Sequence, residues 1–151
     1  QQVGTVTGQA IYAIGDVYSL TTMNGNLVAS ETEELNAITH TATLYDWNNN
    51  PTGTLEERVL ALMPTVDIHH TDANGSDNIT GTATTVFASL THQTTIADNT
   101  GTVAWNTERH AFTLRTTITI TRNNAGGTVS GIDALMVTLM MSEIHDGASN
   151  K

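Results

Sequence analysis

Residues 110–122, HAFTLRTTITITR, alternate apolar and polar side chains along most of their length. Phe112, Leu114, Ile118 and Ile120 fall on one face of an extended chain, and threonines dominate the other face. A period of two is the pattern of a strand with one buried face. Threonine supports this assignment because its branched Cβ fits a pleated surface. The stretch therefore predicts a half-buried β-strand.

The chain beyond this strand is expected to return beside it. Residues 123–127, NNAGG, contain the glycines that a tight turn with positive φ requires. Residues 134–141, ALMVTLMM, are then apolar on both faces, which is typical of a strand in the centre of a sheet. We therefore expect a hairpin of two adjacent antiparallel strands, with the second strand in the core.

Further strands are predicted by the same alternation, separated by turn signals rich in Gly, Asn and Asp. We expect them near residues 3–14, 17–22, 37–47, 59–68, 82–92 and 102–105. Capping-box patterns at Ser30 with Glu33 and at Thr54 with Glu57 allow two short helical turns. No repeat of about 20 to 50 residues is visible, which argues against a solenoid.

These elements predict a single all-β domain over residues 1–151. About seven to nine short strands without a long helical period favour an antiparallel β-sandwich of the jelly-roll kind. A closed antiparallel barrel is the alternative. At most one or two short helical turns are expected.

The composition excludes several classes of function. The chain has 15 Asp and Glu against 5 Lys and Arg, a formal net charge of -10. Phosphate backbones and anionic lipid surfaces repel such a surface, so nucleic acid is not expected as a partner. No stretch is long enough to span a bilayer, so membrane insertion is not expected either. The absence of cysteine excludes a disulfide scaffold, a zinc–thiolate site and a thiol nucleophile.

The chain's origin is expected to be extracellular. It begins at Gln1 rather than Met, lacks Cys, has one Lys and is rich in Thr. This combination indicates a protein secreted or displayed at the cell surface after removal of a signal peptide.

Two loops carry side-chain oxygens in the spacing of a calcium site. Asp72, Asn74, Ser76 and Asp77 surround a glycine in the first loop, and the second contains Asp46, Asn48 and Asn50. Alternating oxygens of this kind can wrap a hard cation such as calcium. Both loops depart from the EF-hand pattern, because neither has its sixth-position Gly or twelfth-position Glu. The alternative is that these residues cap turns by bonding their own backbone.

The first of these loops also contains two N-glycosylation sequons. They predict acceptor sites at Asn74 and Asn78, and an acceptor must be exposed. We therefore expect residues 67–81 to form an exposed connection. A glycan on Asn74 would compete with the use of its oxygen as a calcium ligand.

Histidine is abundant but is not arranged as a metal motif. The chain contains no H-x-H or H-E-x-x-H pair that would place two imidazoles on one ion. We interpret the histidines as side chains with polar partners at the edge of a core: His40, His69, His70, His92, His110 and His145.

Catalytic motifs are equally weak, and we do not expect an enzyme. The sequence has no G-x-S-x-G elbow, P-loop or G-x-G-x-x-G. A carboxyl pair suited to glycoside hydrolysis is conceivable for Glu56 or Glu57 with Asp67, but any acidic chain offers such pairs. Trp47 and Trp105 are candidates for a sugar-binding platform.

The function we expect is that of a secreted structural subunit that assembles with itself into a filament, tube or surface layer. Residues 1–14 would leave their own domain and complete the sheet of a neighbour, presenting Val3, Thr5, Thr7 and Ile11. The first alternative is a glycan- or ligand-binding β module. The second is a small β-barrel enzyme.

Overall fold

The computed structural model describes residues 4–11, 15–35, 39–86, 91–110, 117–124 and 127–149. These residues form ten strands followed by one helix: β1 (Gly4–Ile11), β2 (Gly15–Thr22), β3 (Leu27–Leu35), β4 (His40–Asp46), β5 (Pro51–Glu57), β6 (Thr65–Thr71), β7 (Asp77–Val86), β8 (Thr91–Asp98), β9 (Val103–His110), β10 (Thr117–Arg122) and α1 (Gly131–Ser149).

All ten strands belong to one sheet, in which each strand pairs antiparallel with the next in sequence order. The helix contacts β3 and every strand from β6 to β10, because the sheet curls around it. The prediction of an antiparallel all-β fold is confirmed. The strands form one meander instead of the two sheets of a jelly roll, and the described residues show no pairing of β1 with β10 that would close a barrel.

The core lies between the concave face of the sheet and the helix. Cross-strand partners share a face of a sheet, and most side chains buried on the inward face are apolar, although Glu31 and Glu33, the partners of Leu44 and Ala42, are buried there too. Leu55, Ile68 and Ile96 are fully buried there, against Met136 and Met140 of α1. The sheet and the helix therefore depend on each other for the burial of their apolar side chains.

The prediction of a central strand at residues 134–141 is wrong. These residues are buried as expected, but they lie in α1. The expected hairpin around residues 123–127 is also wrong, because the chain leaves β10 and crosses the ends of neighbouring strands to reach α1. Asn123 N–H donates to the Ala104 carbonyl in β9, and Thr128 Oγ1 donates to the Thr80 carbonyl in β7.

The physical reason for this error is that α1 is enclosed on nearly all sides. A helix with one wet face shows an apolar period of 3.6 residues, whereas an enclosed helix is apolar all round and loses that period. Even Thr138 and Ser142 are buried, and their hydroxyls donate to the carbonyls of Ala134 and Thr138 inside the helix.

The short helical turns allowed by the two capping patterns are not formed. Ser30 and Glu33 lie in β3, and Thr54 and Glu57 lie in β5. Ladder pairing with strands on both sides overrides the local helical signal. The expected strand at residues 59–68 is shorter, since β6 begins at Thr65.

Strands β3, β5 and β8 were not expected as separate elements. Ile118 and Ile120 are half-buried in β10 as predicted, whereas Phe112 and Leu114 lie outside the described residues.

Four of the hairpin turns are built alike, at residues 22–26, 46–50, 72–76 and 98–102. In each, the first residue donates its N–H to the fifth carbonyl, and the fourth residue donates to the first, at 2.9–3.0 Å. The fourth residue has positive φ, at Gly25, Asn49, Gly75 and Gly101. The turn recurs every 24 to 26 residues at one end of the sheet. This hairpin repeat was missed in the sequence because the strands between the turns differ in composition.

The N-terminal strand pairs within its own chain. Thr5 lies opposite Thr21, Thr7 opposite Ser19, and Ile11 opposite Gly15, while Val3 lies outside the described residues. Exchange of this strand between copies stays a prediction. Among the described residues, no helix has both the length and the apolar content needed to cross a bilayer.

Candidate functional site

A cavity of about 520 Å³ opens at the turn end of the sheet, between β3, β4 and the start of α1. This volume lies in the range of ligand pockets, about 300–1,000 Å³. Most of its wall is apolar, supplied by Val28, Ala29, Leu44, Trp47, Ile132 and Met136. The remaining wall is polar and includes His70 and Asp133.

Two glycines shape this region. Gly53 lies between Leu44 and His70 in the inward row of the sheet, where its lack of a side chain lets the backbone of β6 approach closely. A Cβ at Gly53 would overlap the carbonyl oxygen of His69. Gly81 leaves room for the segment between β10 and α1, because a Cβ there would overlap a methyl group of Val129.

His70 and Asp133 fasten the start of the helix to the sheet. Nδ1 of His70 lies 2.8 Å from the Thr52 carbonyl oxygen, and Nε2 lies 3.1 Å from Oδ2 of Asp133. A carbonyl and a carboxylate both accept hydrogen bonds, so the imidazolium form of His70, in which both ring nitrogens donate, satisfies both contacts. The hydrogen bond to Asp133 raises the pKa of His70, against the opposing effect of burial, and the contact with Thr52 adds to the rise.

Asp133 also caps the helix. Its Oδ2 accepts from Ser130 N–H at 3.3 Å, and its own N–H donates to Ser130 Oγ at 3.1 Å. This is a reciprocal capping box that ends in Asp instead of Glu. The pattern S-G-I-D was visible in the sequence and marks the start of the helix that the strand prediction missed.

The two tryptophans have different roles. Trp47 stands at the second position of its turn and is 67% exposed at the cavity rim. Trp105 is half-buried: its Nε1 donates to the Val129 carbonyl at 2.9 Å, and its ring packs on Gly131 and Arg122. Only Trp47 lines the cavity, so the described structure does not bring the two rings together as one platform.

The calcium candidates cap turns in this structure. Oδ1 of Asp72 accepts from the N–H groups of Asn74 and Ser76 at 2.8 and 2.9 Å. Oδ1 of Asp46 does the same with Asn48 and Asn50. The hydrogen bond from the Ser76 backbone, followed by that from Asn74, lowers the pKa of Asp72.

Asp77, the remaining candidate ligand, contacts His69 Nδ1 at 2.9 Å. In the part of the chain that the structure describes, no three His, Asp or Glu side chains form a group that could hold a metal ion. Calcium binding at these loops stays a prediction.

The segment at residues 67–81 is exposed only in its middle. Asn74 and Asn78 are exposed, and glycosylation of either stays a prediction. Asp67 and Ile68 are buried in β6, which corrects the expectation of one continuous exposed connection. Ile68 is buried because it faces the core, and Asp67 is buried because Arg58 and Thr82 cover its carboxylate.

The proposed carboxyl pair of Glu56 and Asp67 is brought together, but Asp67 is not suited to be its general acid. Glu56 lies directly opposite Asp67 on the neighbouring strand. Arg58 donates to both oxygens of Asp67 at 2.6 and 2.7 Å, and Thr82 donates at 2.8 Å. Burial raises the pKa of Asp67, but these hydrogen bonds outweigh it and lower the pKa overall. A general acid needs the opposite shift.

The other histidines with described contacts also lie against carboxylates. His40 Nδ1 is 2.7 Å from Glu57, and His110 Nε2 is 3.7 Å from Glu108. Among the described residues, His40, His69, His70 and His110 thus each have an acidic neighbour. The side chain of His145 lies outside the described part of the chain.

The sequence matches no protein-family model, and comparisons with curated proteins and with solved structures gave no match. The class of protein is therefore defined by its own geometry. It is an antiparallel meander curled around a single helix, with an apolar cavity at the turn end.

Proposed function

We propose that this protein is a binding module that takes an apolar group into the cavity at the turn end of the sheet. The observation that carries the proposal is the mainly apolar wall of this cavity, open beside an exposed tryptophan. The proposal corresponds to the ligand-binding alternative from the sequence.

Two charged groups of the inner wall, His70 and Asp133, are compatible with an apolar occupant. His70 and Asp133 are paired with each other, and the second ring nitrogen of His70 is satisfied by Thr52. Burying an unpaired charge is costly. An apolar group that covers this pair therefore displaces water without leaving an ionised group unsatisfied.

Trp47 supplies the contact that we expect to contribute most to affinity. A tryptophan at the mouth of a pocket offers a large rigid surface, and such residues are typical hot spots. Trp47 lies in a turn and is largely exposed in the free protein. Its indole surface is therefore available to a ligand. A sugar ring, the ligand expected for a glycan-binding module, would contact the same face of the indole.

Trp47→Ala should weaken binding of a neutral apolar fluorophore, Nile red, by about tenfold to thirtyfold, since a hot-spot side chain contributes about 2 kcal/mol. Fluorescence titration measures the affinity. Met23→Ala is the matched control because Met23 occupies the equivalent position of the first turn and is 59% exposed. Equal affinities for the Trp47→Ala variant and the unmodified protein would contradict the proposal.

A second pair of variants tests the opposite wall. Ile132 lines the cavity and is 39% exposed, whereas Val103 is 38% exposed and does not line it. Ile132→Asp should reduce Nile red binding, and Val103→Asp should not. The same effect from both substitutions would indicate a general surface response to the added charge.

Self-assembly outside the cell is a second candidate function, favoured by the open edges of the sheet. Among the described strands, β1 and β10 each have a single hydrogen-bonded neighbour. Unpaired edges of this kind can add a strand from another chain. Deleting residues 1–7 tests the donor-strand form of this candidate: the truncated protein should fold but not assemble, and continued polymerisation would exclude it.

A further inference from the structure

We propose that the apolar group received by the cavity belongs to a second copy of this chain, namely the loop between β5 and β6. We call residues 58–64, RVLALMP, the apolar loop. This inference rests on the proposed function of the cavity and names its partner. The contact would join the apolar loop of one copy to the turn end of the next.

The apolar loop exposes more apolar surface than a solvated connection requires. Leu60 and Leu62 are 96% and 105% exposed, and Val59 and Met63 are about half exposed. Exposed apolar residues on monomers are usually scattered singly, whereas a contiguous group marks an interaction surface. Five consecutive apolar residues lie between Arg58 and Pro64.

The base of the apolar loop is held by hydrogen bonds. Arg58 N–H donates to the Thr65 carbonyl at 2.8 Å, and Thr65 Oγ1 donates to the Met63 carbonyl at 2.9 Å. The leucines are therefore presented on a closed loop that is anchored between two paired strands. Anchoring reduces the entropy that is lost on binding.

The loop and the cavity lie at opposite ends of the same strand. Thr52, at the start of β5, lines the cavity, and Arg58 follows the end of β5. A strand of seven residues is about 20 Å long. The loop therefore cannot fill the cavity of its own chain. A contact between two different surfaces is heterologous, and it continues as an open chain when its rotation does not close a ring.

Charge favours this end-to-end arrangement. Arg58 is half exposed and uses Nε and Nη2 for Asp67, so its Nη1 group lies outside that pair. The cavity rim carries Asp46, and the hydrogen bond from the Asn50 backbone is the largest effect lowering the pKa of its carboxyl. With 15 acidic and 5 basic residues, most pairs of surfaces repel, and an Arg facing an Asp selects this one.

The cavity is large enough for the two leucines. An engineered cavity of about 150 Å³ in another protein holds one benzene molecule, and this cavity measures about 520 Å³. A single loop in a cavity gives a small interface, at the weak end of the range below about 1,200 Å². Assembly should therefore depend on protein concentration.

Complementary variants test the proposal by sedimentation velocity over a concentration series. The loop variant carries Leu60→Asp with Leu62→Asp, and the cavity variant carries Trp47→Ala with Ile132→Asp. The unmodified protein should form linear oligomers, each variant alone should remain monomeric, and an equimolar mixture should form dimers and nothing larger. Val103→Asp is the control and should assemble like the unmodified protein.

Several results would overturn the proposal: an unmodified protein that stays monomeric, a mixture without dimers, or either variant that still forms oligomers. Oligomers in both variants would indicate association through the sheet edges. Loss of assembly in the loop variant alone would indicate a contact between loops.

The proposed function is tested separately, because the loop variant retains its cavity. It should bind Nile red with unchanged affinity, and the cavity variant should displace the dye through its intact loop. Failure of the loop variant to bind dye contradicts the function of the cavity. Normal dye binding without displacement or dimers contradicts only the identity of the partner.

Discussion

Val137→Asp should lower the free energy of unfolding by at least about 4 kcal/mol, a large part of the stability of a small domain. Val137 has no exposed surface, and it lies on the enclosed helix α1. A carboxylate without a partner in this position would cost at least about 4 kcal/mol. Domains of this kind are stable by only about 5–15 kcal/mol. Circular dichroism and urea unfolding measure the loss.

Ile132→Asp is the control on the same helix. Ile132 lies in the first turn and is partly exposed, and an acidic side chain near a helix N-terminus is favourable. This variant should unfold within about 1 kcal/mol of the unmodified protein. Similar stability for the two variants would show that α1 is not enclosed by the sheet.

Asp133→Ala should lower the free energy of unfolding by about 2–4 kcal/mol, because it removes a charged hydrogen bond and a helix cap together. The carboxylate of Asp133 accepts from His70 of β6 and from Ser130 N–H. Asp133→Asn is the informative comparison, since an amide oxygen can still cap the helix but carries no charge. Urea unfolding of the three proteins at pH 6 separates the two contributions.

The charged contribution should depend on pH in a defined direction. The pKa of His70 is raised in the folded protein, so the folded state binds this proton more tightly than the unfolded state. The stabilisation is complete below the ordinary imidazole value of about 6.5 and is lost as pH rises through the folded pKa.

The difference in stability between the unmodified protein and Asp133→Asn should thus be largest near pH 6 and smaller at pH 8. The contacts of His40 and His69 are present in both proteins and cancel in this difference. A constant difference across this pH range would contradict the assignment of His70 as an imidazolium.

Most strands, but not β3, β5 and β8, could be predicted from the sequence because alternation is a local property. Ile118 and Ile120 reveal β10 through their spacing alone, and Asn24 with Gly25 reveals a turn. The helix could not be assigned by its period, because a sheet that surrounds α1 removes the polar face that creates the period. The capping box at Ser130 was the remaining local signal.

Only individual residues of the candidate site could be predicted, not their arrangement. Trp47 and the two consecutive histidines, His69 and His70, could be identified from the sequence. The pairing of His70 with Asp133 could not, because it joins distant segments of the chain. Glycine is required at position 53 only because the folded sheet brings the His69 carbonyl oxygen to the place of a Cβ. Arg58 and Asp67 likewise meet across the start of a hairpin.

The strictly sequential order of the strands has a consequence for synthesis on the ribosome. Each strand pairs with the strand made just before it, so loop closure is short and each hairpin can form as it emerges. The helix α1 follows all ten strands. The apolar side chains of the concave face therefore remain exposed to solvent until the helix has left the exit tunnel. Translational pausing before residue 131 would prolong this interval, during which a chaperone that binds extended apolar surfaces has its best access to the chain.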